Sequence, residues 1–317
     1  VTRVAAIDCG TNSIRLLVAD VDREAGTLVD LDRRMEVVRL GQGVDRTGRI
    51  APEALERTLD AARRYAAVCD DLGVETVRFV ATSASRDAEN RDDFVRGVRD
   101  ALGVDPEVVE GTEEAALSFR GATGVLASRL PGPFLVVDLG GGSTEVVLGT
   151  DAPTAAFSMD VGCVRMTERH LRSDPPTADE VAAAVADVRA ALDEAAAVVP
   201  FGDAVTLVGL AGSVTTITAH ALGLAQYDPS RIDGAVLTLD QTVAACDDLL
   251  TRTREERAAL GFMHPGRVDV IGAGALVWRE VVLRVRDEVA AAGRELTHAV
   301  TSEHDILDGI AWSAAER

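Results

Sequence analysis

Short apolar blocks alternate with longer stretches of helical spacing along the whole chain, a pattern that predicts strands followed by helices. Residues 3–22 (RVAAIDCGTNSIRLLVADVD) read as two strands around a glycine turn, and a third strand covers 28–40. Gly41, Gly43, Gly48 and Pro52 mark a loop. Beyond it Ala54, Leu55, Leu59, Ala62, Tyr65, Ala66 and Leu72 fall on one helix face, and Pro52 suits the first helical turn. A buried strand at 77–81, a helix at 92–102, a strand at 106–109 and a helix capped by Thr112 and running to Leu126 follow.

Pro131-Gly132-Pro133 interrupts the chain, and the opening pattern then returns as FLVVDLGGGSTEVVLGTD. A shift of 130 residues lays Asp8 on Asp138, Gly10 on Gly140 and Ser13 on Ser143. Repetition on this scale predicts a second unit of related structure. Its further elements are a strand at 154–159, helices at 164–171 and 177–198, and a strand at 204–210. A glycine turn at 211–213 leads into a helix at 214–222, followed by helices at 240–252 and 268–290, a strand at 296–301 and a last helix from His304. The fold class is α/β with two related lobes, 1–126 and 127–303, the helix at 304–317 packing back on the first.

Composition narrows the function classes. The 317 residues carry 52 acidic against 32 basic side chains, a net charge of −20, which argues against general duplex-DNA binding. A phosphate-rich ligand remains compatible, because fields are screened over about 8 Å in physiological salt and local charge decides. The sequence contains no lysine, so no lysine serves as catalytic base, Schiff-base former or Walker-type phosphate ligand. The four cysteines are dispersed without a CxxC pair, and the histidines show no HxxxH or HExxH spacing. A disulfide framework and a zinc site are therefore not expected, and a reducing cytoplasmic setting is. No apolar run is long enough to cross a membrane, and the start runs directly into a strand, so no signal peptide is expected.

Three glycine turns are the candidate chemistry: Asp8-Cys-Gly-Thr-Asn-Ser13, Asp138-Leu-Gly-Gly-Gly-Ser143 and Gly209-Leu-Ala-Gly-Ser213. Each follows an apolar strand, where glycine lets backbone amides face a phosphate and hydroxyl side chains add donors. The third opens a helix, whose N-terminal amides favour an anion. Any one of them also reads as an ordinary turn. Asp8 and Asp138 end apolar strands, a costly place for a carboxylate unless it is solvated, paired or metal-bound. Asp138 with Glu145 suits a hard cation such as Mg²⁺, which takes one or two carboxylates plus phosphate oxygens and water. On spacing alone Glu145 reads more readily as an exposed strand residue. Glu113-Glu114 on its own reads first as two acids favoured by a helix dipole. Arg86, after Ala-Thr-Ser-Ala-Ser, reads as a bidentate phosphate contact on a loop or as a solvated arginine, with Arg165 and Arg267 weaker candidates of the same kind.

Together these segments resemble the actin/Hsp70/sugar-kinase superfamily, and within it the exopolyphosphatase/guanosine-pentaphosphate phosphatase family. The resemblance is carried by AAIDCGTNSIRLLVAD, ATSASRDAEN, VVEGTEEAALSFRG, VVDLGGGSTEVVLG, VGCVRMTERHL, LVGLAGSVTTITA and SEHDILDGI, in family order over nearly the whole chain. It implies two actin-like (ribonuclease H-like) lobes with a cleft between them. It further implies Mg²⁺-dependent hydrolysis of terminal phosphoanhydrides, Mn²⁺ being an alternative metal. By the resemblance the catalytic glutamate is Glu114 and the metal-linked acids are Asp138 and Glu145. The phosphate contacts are Thr11, Asn12, Ser13, Arg86, Gly140, Gly141, Gly142, Ser143, Gly212 and Ser213. The implied substrate is inorganic polyphosphate, of short to medium length, or guanosine pentaphosphate, with no nucleic-acid or membrane partner and a homodimer by family habit. One departure is Ile306-Leu307-Asp308-Gly309, where many members carry Leu-Arg-Glu-Gly; a short form without the long members' C-terminal helical domains is expected. Two other classes are compatible: an ATP-dependent small-molecule kinase, marked by a phosphorylated product, and a non-enzymatic alarmone sensor, marked by binding without hydrolysis.

Overall fold

The first three strands, β1 (Thr2–Cys9), β2 (Ser13–Asp22) and β3 (Thr27–Val37), form an antiparallel meander. After a short helix α1 (Val44–Thr47), helix α2 (Pro52–Leu72) starts with proline in its first turn and stops at Gly73, whose left-handed backbone (φ 65°) lets its amide reach the carbonyls of Cys69 and Asp70. Strand β4 (Thr76–Ala81) then pairs parallel to β1. Short helix α3 (Ser83–Arg86), helix α4 (Arg91–Leu102), strand β5 (Glu107–Val108) and helix α5 (Gly111–Leu126) complete the series. The sheet order is β3-β2-β1-β4-β5.

The opening pattern then recurs as structure. Strands β6 (Phe134–Leu139), β7 (Thr144–Gly149) and β8 (Pro153–Met159) form a second antiparallel meander. Helices α6 (Cys163–Arg169) and α7 (Ala178–Ala196) lead to β9 (Thr206–Leu210), parallel to β6. Helix α8 (Ala211–Ala221), short helix α9 (Pro229–Ile232), strand β10 (Val236–Thr238), helices α10 (Leu239–Thr251), α11 (Arg254–Ala258) and α12 (Ile271–Ala291), strand β11 (His298–Thr301) and helix α13 (Ile306–Ala314) follow. The second sheet runs β8-β7-β6-β9-β11-β10, the first order repeated with one strand added. The α/β class with a duplicated sheet is thus what the chain adopts.

The computed structural model describes residues 1–317, and its contacts separate two units, Val1–Gly121 with Ile306–Arg317, and Ala122–Asp305. In the first unit alternate residues of β1 serve opposite faces. Ala5, Ile7 and Cys9 pack with Ala61, Tyr65, Phe94 and Val98. Val4 and Ala6 pack with Leu117 of α5 and with Ile306, Leu307 and Ile310 of α13. Burial on both faces explains why the strand reads as a continuous apolar run. In the second unit Leu135, Val137 and Leu139 of β6 share a core with Val188 and Leu192 of α7, Ile217 of α8 and Trp278, Val281 and Val285 of α12. Each such side chain contributes about 1.5–3 kcal/mol when fully buried. No helix is long and apolar enough to cross a membrane.

Several elements differ from the sequence reading. Arg86 ends a helix, α3, rather than lying on a loop. Helix α5 begins at Gly111, one residue before the expected cap: the amides of Glu113 and Glu114 reach the carbonyl of Glu110, so Thr112 lies within the first turn. Helix α8 begins at Ala211, three residues earlier than the expected start at 214. Elements α1, α9, β10 and α11 are only three to five residues long, too short for periodicity to declare them.

Candidate active site

The first glycine turn joins β1 to β2. The amide of Gly10 donates to the carbonyl of Ser13 at 3.0 Å and closes the loop. The hydroxyl of Thr11 meets that of Ser83 at the start of α3 (2.9 Å). The Asn12 carbonyl accepts from the amides of Val38 and Arg39, and the Thr11 carbonyl from Gly41. Arg39 adopts φ 53°, which an L side chain rarely does; strain of this kind gathers at functional sites. At the base of the turn Asp8 lies directly opposite Arg15 in the strand register. Arg15 Nη2 and Nε donate to Asp8 Oδ2 at 2.7 and 3.0 Å, and the side chains are only 20% and 8% exposed.

Two other predicted residues of this unit come together. Arg86 Nη1 donates to Glu114 Oε2 at 3.3 Å and to the carbonyl of Val109 at 3.0 Å. Glu114 is 7% exposed, so it is not a solvated helix-dipole acid. Its neighbour Glu113 serves another partner, Arg78 (2.7 Å). Adjacent helix positions point in different directions, so the Glu-Glu pair divides into a half-exposed tie and a buried carboxylate. In the departing segment, Leu307 is buried and Asp308 is held by Arg33 from β3 at 2.8 Å.

The second turn, between β6 and β7, repeats the geometry of the first. The amide of Gly140 donates to the Ser143 carbonyl at 3.0 Å. Asp138 lies directly opposite Glu145, at positions matching Asp8 and Arg15. Facing cross-strand residues share one side of the sheet with Cβ atoms about 4.5–5.5 Å apart, and like charges there repel. Asp138 is 7% exposed and Glu145 only 1%, which excludes the exposed-strand reading of Glu145. Ser158 of β8 donates its hydroxyl to Glu145 Oε1 at 2.7 Å. Helix α6 begins against this turn: the Cys163 amide donates to the Gly140 carbonyl, and those of Val164 and Arg165 to Gly141. A Cβ on Gly162 would lie 2.5 Å from the Gly141 carbonyl oxygen, so only glycine admits this approach. The Arg165 guanidinium lies 4.0 Å from Asp160.

The third turn opens α8. Ala211 has φ 68°, a backbone that an L side chain rarely adopts. Arg267 lies flat against Gly212, where an added Cβ would fall 1.8 Å from Nη1, and it reaches Thr216 Oγ1 at 3.3 Å. Ser213 bonds the Cys163 thiol, whose pKa burial raises and this bond partly lowers. The second and third turns are thereby joined through the start of α6. Nearby, the Tyr227 hydroxyl donates to Glu303 Oε1 at 2.6 Å and approaches Thr215 at 2.8 Å. Burial raises the Glu303 pKa; the tyrosine bond works against that and Asp305 adds to it.

Asp8, Thr11, Arg86 and Glu114 of the first unit therefore each have a polar side-chain partner within it, and Asn12 and Ser13 accept backbone amides. Those of the second unit gather on two adjoining turns. The residues that sequence reasoning passed over are Arg15, Arg39, Gly162 and Ala211. Only Arg15 had a signal: the same 130-residue shift lays it on Glu145.

The Ppx/GppA phosphatase family matches residues 17–292. The chain belongs to this family. It is 51% identical to exopolyphosphatase 2 of Mycobacterium tuberculosis, over 99% of each chain. Among solved structures, an exopolyphosphatase-like protein shares 49% identity with a TM-score of 0.96, over 100% of this chain and 99% of the other. The PPX-GPPA enzyme of Aquifex aeolicus shares 30% identity with a TM-score of 0.79, over 98% and 99%. The expected family and fold class of this Ppx/GppA protein are thus borne out.

Proposed function

We propose that this Ppx/GppA protein is an exopolyphosphatase that releases orthophosphate from the end of inorganic polyphosphate by metal-assisted hydrolysis. The observation that carries the reading is the 51% identity, over the full length of both chains, to a protein named exopolyphosphatase 2.

The residues suit the chemistry. Glu114, buried and oriented by Arg86, positions a water and takes its proton as the water oxygen attacks the terminal phosphorus. The bond from phosphorus to the bridging oxygen breaks, and the shortened chain leaves with that oxygen. Thr11, Asn12 and Ser13 form one proposed contact for phosphate oxygens, and Gly140–Ser143 with Gly212 and Ser213 form another. Arg86 divides its guanidinium between Glu114 and the incoming phosphate. Asp138 and Glu145 fit a divalent cation by the chemistry of their donor set: two facing buried carboxylates, with phosphate and water completing the shell. When bound, Mg²⁺, or Mn²⁺ in its place, neutralises charge on the phosphate oxygens. Positioning and electrostatics of this kind dominate phosphoryl transfer. The cytoplasm is the proposed compartment and a homodimer the proposed assembly, which light scattering of the purified protein checks.

The test is phosphate release from polyphosphates of defined length, with and without Mg²⁺, beside release from guanosine pentaphosphate. A higher kcat/KM on polyphosphate is expected, and a clear preference for the nucleotide refutes the substrate assignment. Glu114→Gln is expected to lower kcat about 10²–10⁴-fold while substrate binding persists. Turnover near wild type by this variant removes Glu114 from the mechanism.

A further inference from the structure

Glu114 sits in the first turn of α5, and two contacts within the first unit bracket it. Three residues further along, α13 comes so close to α5 that a Cβ on Gly309 would lie 2.0 Å from the Leu117 carbonyl oxygen and 2.7 Å from its carbon. Ordinary van der Waals contact begins at 3.4 Å, so only glycine admits this approach. One residue back, Glu113 Oε1 accepts from Arg78 Nη2 at 2.7 Å, and Nη1 of the same guanidinium donates to Ser313 Oγ of α13 at 2.6 Å. Arg78 is buried, and it links the two helices. Residues 113 and 117 lie one turn apart on the same face of α5, and Glu114 is the next position round. That face is therefore held by α13 while Arg86 holds the Glu114 carboxylate at 3.3 Å. α13 itself has little room to retreat. Ile306 and Ile310 pack with Val4, Ala6 and Val80 of the sheet, and Arg33 holds Asp308 at 2.8 Å.

We propose that α13 is the stop against which Glu114 is set, and that Gly309 is a positioning residue for the hydrolysis. Gly309 acts through the backbone of α5 and not on the substrate. It lets the two helices meet backbone to backbone, and that meeting fixes the depth and rotation of the turn that carries Glu114. A methyl group there drives the backbones apart by about 1 Å, a displacement that can cost about 10²-fold when it moves a reacting group. The inference rests on the reading of Glu114 as the group that takes the proton from water, and deepens it by naming what sets that group in place.

The experiment is a double-mutant cycle on the full chain, read as phosphate release from a polyphosphate of defined length, below the melting temperature of every variant. Gly309→Ala is expected to lower kcat about 10²-fold and to leave KM within about 2-fold. Added to Glu114→Gln, which is itself impaired, it is expected to lower kcat by less than about 2-fold more, because no proton acceptor remains to be positioned. Loss of the same factor in both backgrounds overturns the proposal, since a merely structural defect does not depend on Glu114. So does a folded Gly309→Ala with wild-type kcat beside an impaired Glu114→Gln. If Gly309→Ala fails to fold, Glu113→Ala cuts the link through Arg78 at a half-exposed side chain. It is expected to lower kcat about 3–10-fold, and only while Glu114 is present. No loss, or the same loss in both backgrounds, again overturns the proposal. Wild-type turnover by Glu114→Gln refutes the reading of Glu114 itself, an outcome distinct from the others.

Discussion

The turn after β1 and the turn after β6 share a backbone and differ in charge. In the first, Asp8 is clasped by Arg15; in the second, Asp138 faces Glu145. A backbone that turns the chain and presents amides is independent of what stands at its base. What differs is the charge at the base. The frame occurs twice, and one position, arginine in the first turn and glutamate in the second, sets that difference.

The largest test of that contrast removes each turn's distinguishing residue. Glu145→Gln is expected to lower kcat/KM on polyphosphate about 10²–10³-fold, the scale of losing one main electrostatic contact to the transition state. Its stability in metal-free buffer should stay within about 1 kcal/mol of wild type, since the change removes a like-charge neighbour of Asp138. Arg15→Gln should do the reverse to stability. It strips a largely buried carboxylate of its guanidinium, a loss of about 2–4 kcal/mol, discounted from fully buried pairs because Arg15 is partly exposed. Thermal melts of both variants in chelator check the pair. Equal destabilisation would mean that the two bases are not different in kind.

Two glycines sharpen the comparison at a smaller scale. Gly162→Ala drives a methyl against the backbone of the second turn, at 2.5 Å from the Gly141 carbonyl oxygen. Backbone does not yield cheaply, so about 1–3 kcal/mol of stability and most Mn²⁺ affinity should go together. Gly212→Ala meets instead the far end of Arg267, which can swing away. Its melting temperature should stay close to wild type, while KM for polyphosphate rises about 10-fold, as expected when one charged hydrogen bond to a phosphate is lost. A Gly212→Ala variant that unfolds early would show that Arg267 is wedged in place rather than resting on the turn.

Much of this was readable before any coordinates. The repeat offset and the strand–turn–strand frames follow from apolar runs interrupted by glycine, because two-sided burial leaves a strand little compositional freedom; Glu114, Asp138 and Glu145 as site residues come from the family resemblance. The burial of Glu145 was not readable, since period-2 alternation says nothing about what covers the second face of a sheet. Nor was the φ of 68° at Ala211: alanine carries no sign of a left-handed backbone, which tertiary contacts impose. The sequence places Arg86 on a loop because a helix of four residues, Ser83–Arg86, shows no period. The Arg15–Asp8 pair lay within reach, since laying one turn on the other puts arginine on glutamate.

The third turn extends the comparison to a carboxylate that Arg267 stabilises only through its field, against a larger cost of burial. Glu303 accepts the Tyr227 hydroxyl at 2.6 Å, and burial holds its pKa above the usual carboxylate value. A group whose folded pKa is raised binds its proton more tightly in the native state than in the unfolded chain. Its contribution to stability is therefore complete below the unfolded value of about 4.3 and is lost as pH rises from there through the folded value. Glu303→Gln keeps an acceptor for Tyr227 and removes the titration. The variant should melt with wild type at pH 4 and above it at pH 7, by about 1–3 °C. Paired melting curves across that range measure the difference. A gap that is constant with pH, or that opens toward acid, would mean that Glu303 is held as a stabilised anion, and that the third turn treats its carboxylate as the first turn treats Asp8.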